Sequence, residues 1–334
     1  TITIDNTGSS ITTGSSLTLN GSGAARSLTI AYTGTSRTMS IAGTLNVTDV
    51  GGGSIYLAAN SSTSVTGTLI KSSGTITSTS SNLTIASGGT YQHNMNGGAL
   101  ATATWNANST CNVAGVTNTL PTGLGQTFGH FTWNCTGQTT TVNMTMTASA
   151  NWGGNFTIIS TGATSQQLRL TNSTITLGIG GNLDIQGGIF VSQNAALTST
   201  LNITGNMLVS GSGSYSGITT SGGFTTINLG GNLDVANTAT FTNLTSNTST
   251  AVTFNFTGVG KYMTVASGMP TQGFSFAMTT VGASLTVNSP VIVGTSRTFN
   301  ITAGTVILGT NRISGNGSFS ISGTNSYLSQ GDPD

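Results

Sequence analysis

Apolar and polar residues alternate along most of the chain with a period of two. Leu28/Ile30, Met39/Ile41, Leu45/Val47, Leu83/Ile85, Phe254/Phe256 and Phe299/Ile301 are apolar pairs, each flanking a single Thr, Ser or Asn. Alternation over stretches this short predicts strands with one buried and one solvated face. Helix is disfavoured by 48 glycines and by dense β-branched residues.

Between Thr174 and Val235 the alternation becomes a repeat. Ile175-Thr176-Leu177 is followed by Gly181-Asn182-Leu183-Asp184-Ile185, Leu201-Asn202-Ile203 by Gly205-Asn206-Met207-Leu208-Val209, and Ile227-Asn228-Leu229 by Gly231-Asn232-Leu233-Asp234-Val235. A weaker copy stands at Gly154-Asn155-Phe156-Thr157-Ile158, so that Asn155, Asn182, Asn206 and Asn232 lie 27, 24 and 26 residues apart. Units of that length holding two or three short strands predict an all-β fold, a parallel β-solenoid (β-helix) with coils of about 25 residues. Tandem β-sandwiches are the alternative, but their modules are much longer than this spacing. The four Asn residues are expected to form a ladder at one corner, in the left-handed conformation and bonding their own backbone.

The expected organisation is one continuous solenoid over 1–334. It has regular coils at 1–98, aromatic and Cys-bearing coils at 99–152, the Gly-Asn repeats at 153–250 and longer coils at 251–334. Corners such as Gly51-Gly52-Gly53 and Gly88-Gly89 suit positive φ. Gly34-Thr35-Ser36-Arg37-Thr38 recurs as Gly294-Thr295-Ser296-Arg297-Thr298, a hint of longer-range duplication. The chain opens in mid-pattern on Thr1-Ile2-Thr3-Ile4 with no leader, as a piece of a longer protein would.

Composition narrows the function classes. Charged residues are 4% of the chain, there is no Glu, and the net charge is +1. Lys and Arg are scattered singly, which argues against nucleic acid as a partner because phosphate neutralisation needs clustered cations. No apolar run reaches the length of a membrane-spanning helix.

Catalytic and cofactor chemistry is not expected. Asp184 and Asp234 are the only acids at matching repeat positions. They fall two coils apart on the outward phase, too far for paired carboxylates, with Leu208 between them. His93 and His130 lack surrounding motifs, and no phosphate loop or metal-ligand spacing occurs. An ice-binding face would need a Thr ladder on successive coils, and Thr174/Thr176 reads as unmatched by the next two repeats.

The segment 99–152 holds all three Trp, Trp105, Trp133 and Trp152, and both Cys, Cys111 and Cys135. The Trp residues read either as a thicker core or as exposed platforms stacking on sugar rings. Cys111 and Cys135 are 24 residues apart, one coil. Stacked at about 4.8 Å they suit a disulfide between adjacent coils, and two buried thiols making neighbouring core contacts fit the same spacing.

The run Gly125-Gln126-Thr127-Phe128-Gly129-His130-Phe131-Thr132-Trp133-Asn134-Cys135, the later Leu168-Arg169-Leu170-Thr171, the Gly-Gly-Asn-Leu-Asp repeats and the terminal Ser329-Gln330-Gly331-Asp332-Pro333-Asp334 resemble the large repetitive, adhesin-like cell-surface proteins of Bacteroidota exported by the type IX secretion system. That resemblance implies an extracellular location and a structural or adhesive role without an enzymatic one. The expected partners are further repeats of the same chain or other copies assembling end to end into a filament. Surface glycans bound through Trp105, Trp133 or Trp152 are the alternative.

Overall fold

The computed structural model describes residues 2–4, 8–20, 27–30, 37–48, 53–146, 148–163, 165–243, 251–266, 271 and 273–330. Among these residues there is no helix, and the strands pair in parallel as a β-solenoid whose turns recur roughly every 24 residues. The chain divides into two compact units: Thr1–Thr140 with Trp152–Gly154, and Thr141–Asn151 with Asn155–Asp334.

In the first unit each full turn contributes three strands. One turn runs through Ser27–Ile30, Arg37–Ile41 and Thr44–Val47, and the next through Ser54–Leu57, Ser61–Val65 and Thr68–Lys71. The register places Leu28 on Ile55, Met39 on Thr63 and Leu45 on Leu69. Leu28, Met39, Ile41, Leu45 and Val47 thus point inward, and Leu28 and Leu45 stack on apolar counterparts one turn away, which removes their surface from water. Leu28, Leu45, Val47 and Val65 are fully buried.

Glycine at the corners answers two separate needs. Gly88 adopts φ +77, while its neighbour Gly89 sits where a side chain would strike the Val65 carbonyl of the preceding turn. Gly51 and Gly52, and the Gly34–Ser36 part of the recurring pentapeptide, lie outside the described residues.

In the second unit the first face is built from Gln167–Arg169, Ile189–Gln193, Ser214–Ile218 and Thr240–Thr242. The second face runs from Ile175–Ile179 through Thr198–Ile203, Phe224–Leu229, Ala251–Phe256, Ser275–Met278 and Thr298–Ile301 to Ser318–Ile321. The third runs from Phe156–Ser160 through Leu183–Ile185, Met207–Val209, Leu233–Val235 and onward to Ser326–Ser329. Its core holds a column of rings, Phe254, Phe276, Phe299 and Phe319, with centroids 6.0, 5.7 and 5.9 Å apart.

The register of the second face corrects one expectation. Thr176 is matched: it aligns with Thr200, Thr226 and Thr253 in one outward column. Two residues on, Asn202, Asn228 and Asn255 form a second column whose amides bond one another at 2.8 and 2.9 Å. Pairing Thr174 with the next repeat hides this, because a two-residue slip keeps the inward–outward phase and shifts only the column.

Candidate functional site

The Gly-Asn corners form the expected ladder by a different device. The Asn182 backbone N–H donates to Asn155 Oδ1 at 2.9 Å, Asn206 N–H to Asn182 Oδ1 at 2.8 Å, and Asn232 N–H to Asn206 Oδ1 at 2.8 Å. The series continues as Tyr262 N–H donates to Asn232 Oδ1 at 3.0 Å. None of the four Asn residues has positive φ, and each side chain serves the next turn instead of its own backbone. The glycines before Asn206 and Asn232 now have a reason. A Cβ at Gly205 would occupy the space of Asn182 Oδ1, and one at Gly231 would crowd Asn206 Oδ1.

The structure does not bring Cys111 and Cys135 together. The turns here are only 20 residues long, so Cys111 stacks between Tyr91 and Phe131, and Cys135 lies beyond that register. Both are free, buried thiols, and Cys135 Sγ donates to the Val113 carbonyl at 3.4 Å. Burial raises both pKa values, that of Cys135 to about 12, so neither is a thiolate at neutral pH.

The Trp residues are not exposed platforms. Trp133 and Trp152 are 0% and 1% exposed, and Trp105 is half-buried. Each indole N–H is engaged: Trp105 with Gln126 Oε1 at 3.1 Å, Trp133 with Gln138 Oε1 at 3.1 Å, and Trp152 with the Gln126 carbonyl at 3.2 Å. Trp105 packs edge-on between Tyr91 and Phe128, and Trp152 stacks on Phe131 at 4.6 Å. Glycan stacking on Trp133 and Trp152 is therefore closed off by the core they build.

A polar cluster absent from the sequence reading lies in the first unit. Lys71 sits on the inward phase one turn above Val47 and is aligned with His93. It is 1% exposed, and its ammonium donates to the Ala99 carbonyl at 2.6 Å. His93 is fully buried, with Nε2 2.7 Å from the Gly97 carbonyl and Nδ1 3.2 Å from the Tyr91 hydroxyl. Burial lowers the Lys71 pKa. It also draws that of His93 down to about 4, with the Gly97 bond opposing the shift and the Lys71 charge adding to it. Among the described residues no carboxylate accompanies them, and no group of acids, His and Cys is arranged to hold a metal. The cluster ties the Gly97–Ala99 loop down to the third face. Leu45/Val47 recurring as Leu69/Lys71 is the sequence signal for it.

The final turn of the second unit leaves several apolar side chains exposed. Ile313–Gly315, Ser318–Ile321 and Ser326–Ser329 each pair with one neighbour only. Phe319, Ile321 and Leu328 are inward-phase residues, yet they are 43%, 44% and 40% exposed. Their counterparts one turn earlier, Phe299, Ile301 and Val306, are fully buried. Phe319 and Leu328, with Val293, Leu308 and Ile313, line a cavity of about 380 Å³. This edge presents both apolar side chains and unpaired strand backbone, the two elements another β-turn needs in order to add.

Asp184 and Asp234 do align through Leu208 on the outward side of the third face, and Asp184 Oδ2 accepts from Gln186 Nε2 at 2.7 Å. Among the described residues no helix is long and apolar enough to cross a membrane. Compared with known proteins, the chain matches no family, no curated protein and no solved structure.

Proposed function

We propose that this chain is an extracellular structural and adhesive surface protein without enzymatic activity, and that it assembles by stacking β-turn on β-turn at its open edge. The observation that carries the reading is the final turn, where three inward-phase apolar residues stand exposed and, among the described residues, three strands are paired on one side only. A second copy, or further repeats of the same chain, would cover Phe319 as Phe319 covers Phe299. Sparse charge supports the reading, since among the described residues lining that edge only Arg312 is charged. The resemblance to Bacteroidota surface proteins supports the extracellular setting.

The test is the size of the purified 1–334 chain as its concentration is raised, followed by light scattering and electron microscopy. Linear multimers are expected, and Phe319→Asp with Ile321→Asp should return the chain to monomers without unfolding it, because both positions are solvent-accessible. A chain that stays monomeric at about millimolar concentration, or multimers indifferent to the double substitution, would sink the proposal.

A further inference from the structure

The second unit has another concavity, on the outer side of its first face and remote in sequence from the final turn. It has a volume of about 400 Å³ and is lined by Ile159, Gln167, Ser214, Ser216, Thr240 and Thr242 among others, a volume suited to a small ligand. The lining is periodic: Gln167, Ile189, Ser214 and Thr240 align on successive turns, as do Val191, Ser216 and Thr242 two residues on. Ser214 beside Thr240, and Ser216 beside Thr242, therefore set hydroxyls one strand spacing apart, about 4.8 Å, with the apolar Ile189 between this set and Gln167. That is the arrangement an extended polymer can follow.

Ser216 supplies the observation that points to a ligand. It is 1% exposed, it lines the groove, and its Oγ has no hydrogen-bond partner. The fold satisfies a comparable hydroxyl on the inward side of the same sheet. Ser192 Oγ donates to the Gly217 carbonyl at 2.6 Å and lies 3.2 Å from the Tyr215 hydroxyl and 3.0 Å from Thr225 Oγ1. A buried hydroxyl without a partner is destabilising, so a native structure that keeps one calls for an explanation.

The chemistry of the lining selects the ligand. No ionisable side chain lines the groove, which disfavours charged ligands and metal ions. Ser and Thr hydroxyls donate and accept, which suits a partner that is itself a polyol. Ile159 is 40% exposed and offers the apolar patch on which a sugar face can lie. At the margin, Arg169 Nε donates to Gln167 Oε1 at 2.7 Å and so fixes the orientation of that amide. A protein partner would require a far larger contact than this groove provides.

We propose that the groove binds an extended, uncharged oligosaccharide, with Ser214, Ser216, Thr240 and Gln167 meeting its hydroxyls and Ile159 meeting one ring face. The proposal deepens the adhesive reading by naming what is adhered to, and it is independent of end-to-end assembly. Binding is therefore measured on the non-assembling Phe319→Asp/Ile321→Asp chain.

The experiment is calorimetric titration with a panel of neutral hexasaccharides of β-glucan, mannan, xylan and dextran type, and with an oligogalacturonate as the charged comparator. At least one neutral hexasaccharide should bind, and the oligogalacturonate should not. Ser216→Ala should weaken binding about tenfold, as loss of one buried hydrogen bond implies. Ser214→Trp, which fills the groove from a solvent-accessible position, should abolish it. Three outcomes would overturn the proposal: no neutral hexasaccharide binding at millimolar concentration, binding unchanged by Ser214→Trp, or preference for the oligogalacturonate.

Discussion

His93 shows how one buried side chain ties the stability of the first unit to pH. Its folded pKa of about 4 lies below the unfolded value of about 6.5. The folded form therefore refuses a proton that the unfolded chain accepts. The corresponding stability is fully present above about pH 6.5 and is lost as pH falls toward 4, with a ceiling of about 3 kcal/mol. Urea unfolding at pH 7 and pH 4.5 should show this loss, and His93→Leu should abolish the His-dependent part while leaving the carboxylate-dependent part. An equal pH dependence in both proteins would contradict the buried, neutral imidazole. In the sequence His93 looked idle, since its partners are the Gly97 carbonyl and the Tyr91 hydroxyl, neither of which makes a recognisable motif around a histidine. The Trp residues left two readings open, a thicker core and exposed platforms, and Trp133 and Trp152 follow the first. Their spacing was visible, but whether a ring faces water depends on the turn length around it, and 20-residue turns shift the register that a 24-residue repeat implies.

The element with the clearest causal chain is the Gly-Asn corner. Asn206 Oδ1 accepts the Asn232 N–H, and Gly231 keeps the space that this oxygen needs. Asn206→Ala leaves a backbone donor without its partner and should cost about 1 kcal/mol. Asn206→Asp keeps the acceptor oxygen and should cost less. Gly231→Ala should be the most damaging of the three, because the added Cβ meets the Gly205 backbone as well as Asn206 Oδ1. Chemical denaturation midpoints in the order wild type, Asn206→Asp, Asn206→Ala, Gly231→Ala are expected; an Asn206→Ala chain as stable as wild type would refute the ladder's contribution. The sequence showed that Asn mattered here and at which period. It did not show the direction of the bond, because an Asn that serves the next turn and one that serves its own turn leave the same letters. The Asn202–Asn228–Asn255 ladder was equally present in the letters, and it emerges only once the register is fixed.

At the scale of the whole molecule, period-two alternation and the 24–27-residue recurrence were enough to read a parallel solenoid, since stacking like on like is how repeats of that length bury an apolar stripe. Features that depend on contact between distant turns were out of reach. They include the inward Lys71, the serine groove and the division into two compact units. The open edge at Phe319, Ile321 and Leu328 belongs to this scale too, because exposure there contrasts with full burial one turn earlier.

The burial of Lys71 has a practical corollary for handling the protein. The sequence contains two lysines, and the fold encloses one of them, leaving Lys261 as the side-chain amine within reach of solvent. An amine-reactive dye or biotin ester should therefore add to a single lysine side chain in the native chain and to both after denaturation, as peptide mass spectrometry would show. Native labelling of Lys71 would mean that the Gly97–Ala99 loop opens. With labelling confined to Lys261, molecules coupled to a surface through side-chain amines would all hang from one point. Adhesion and pulling measurements would then begin from a uniform orientation.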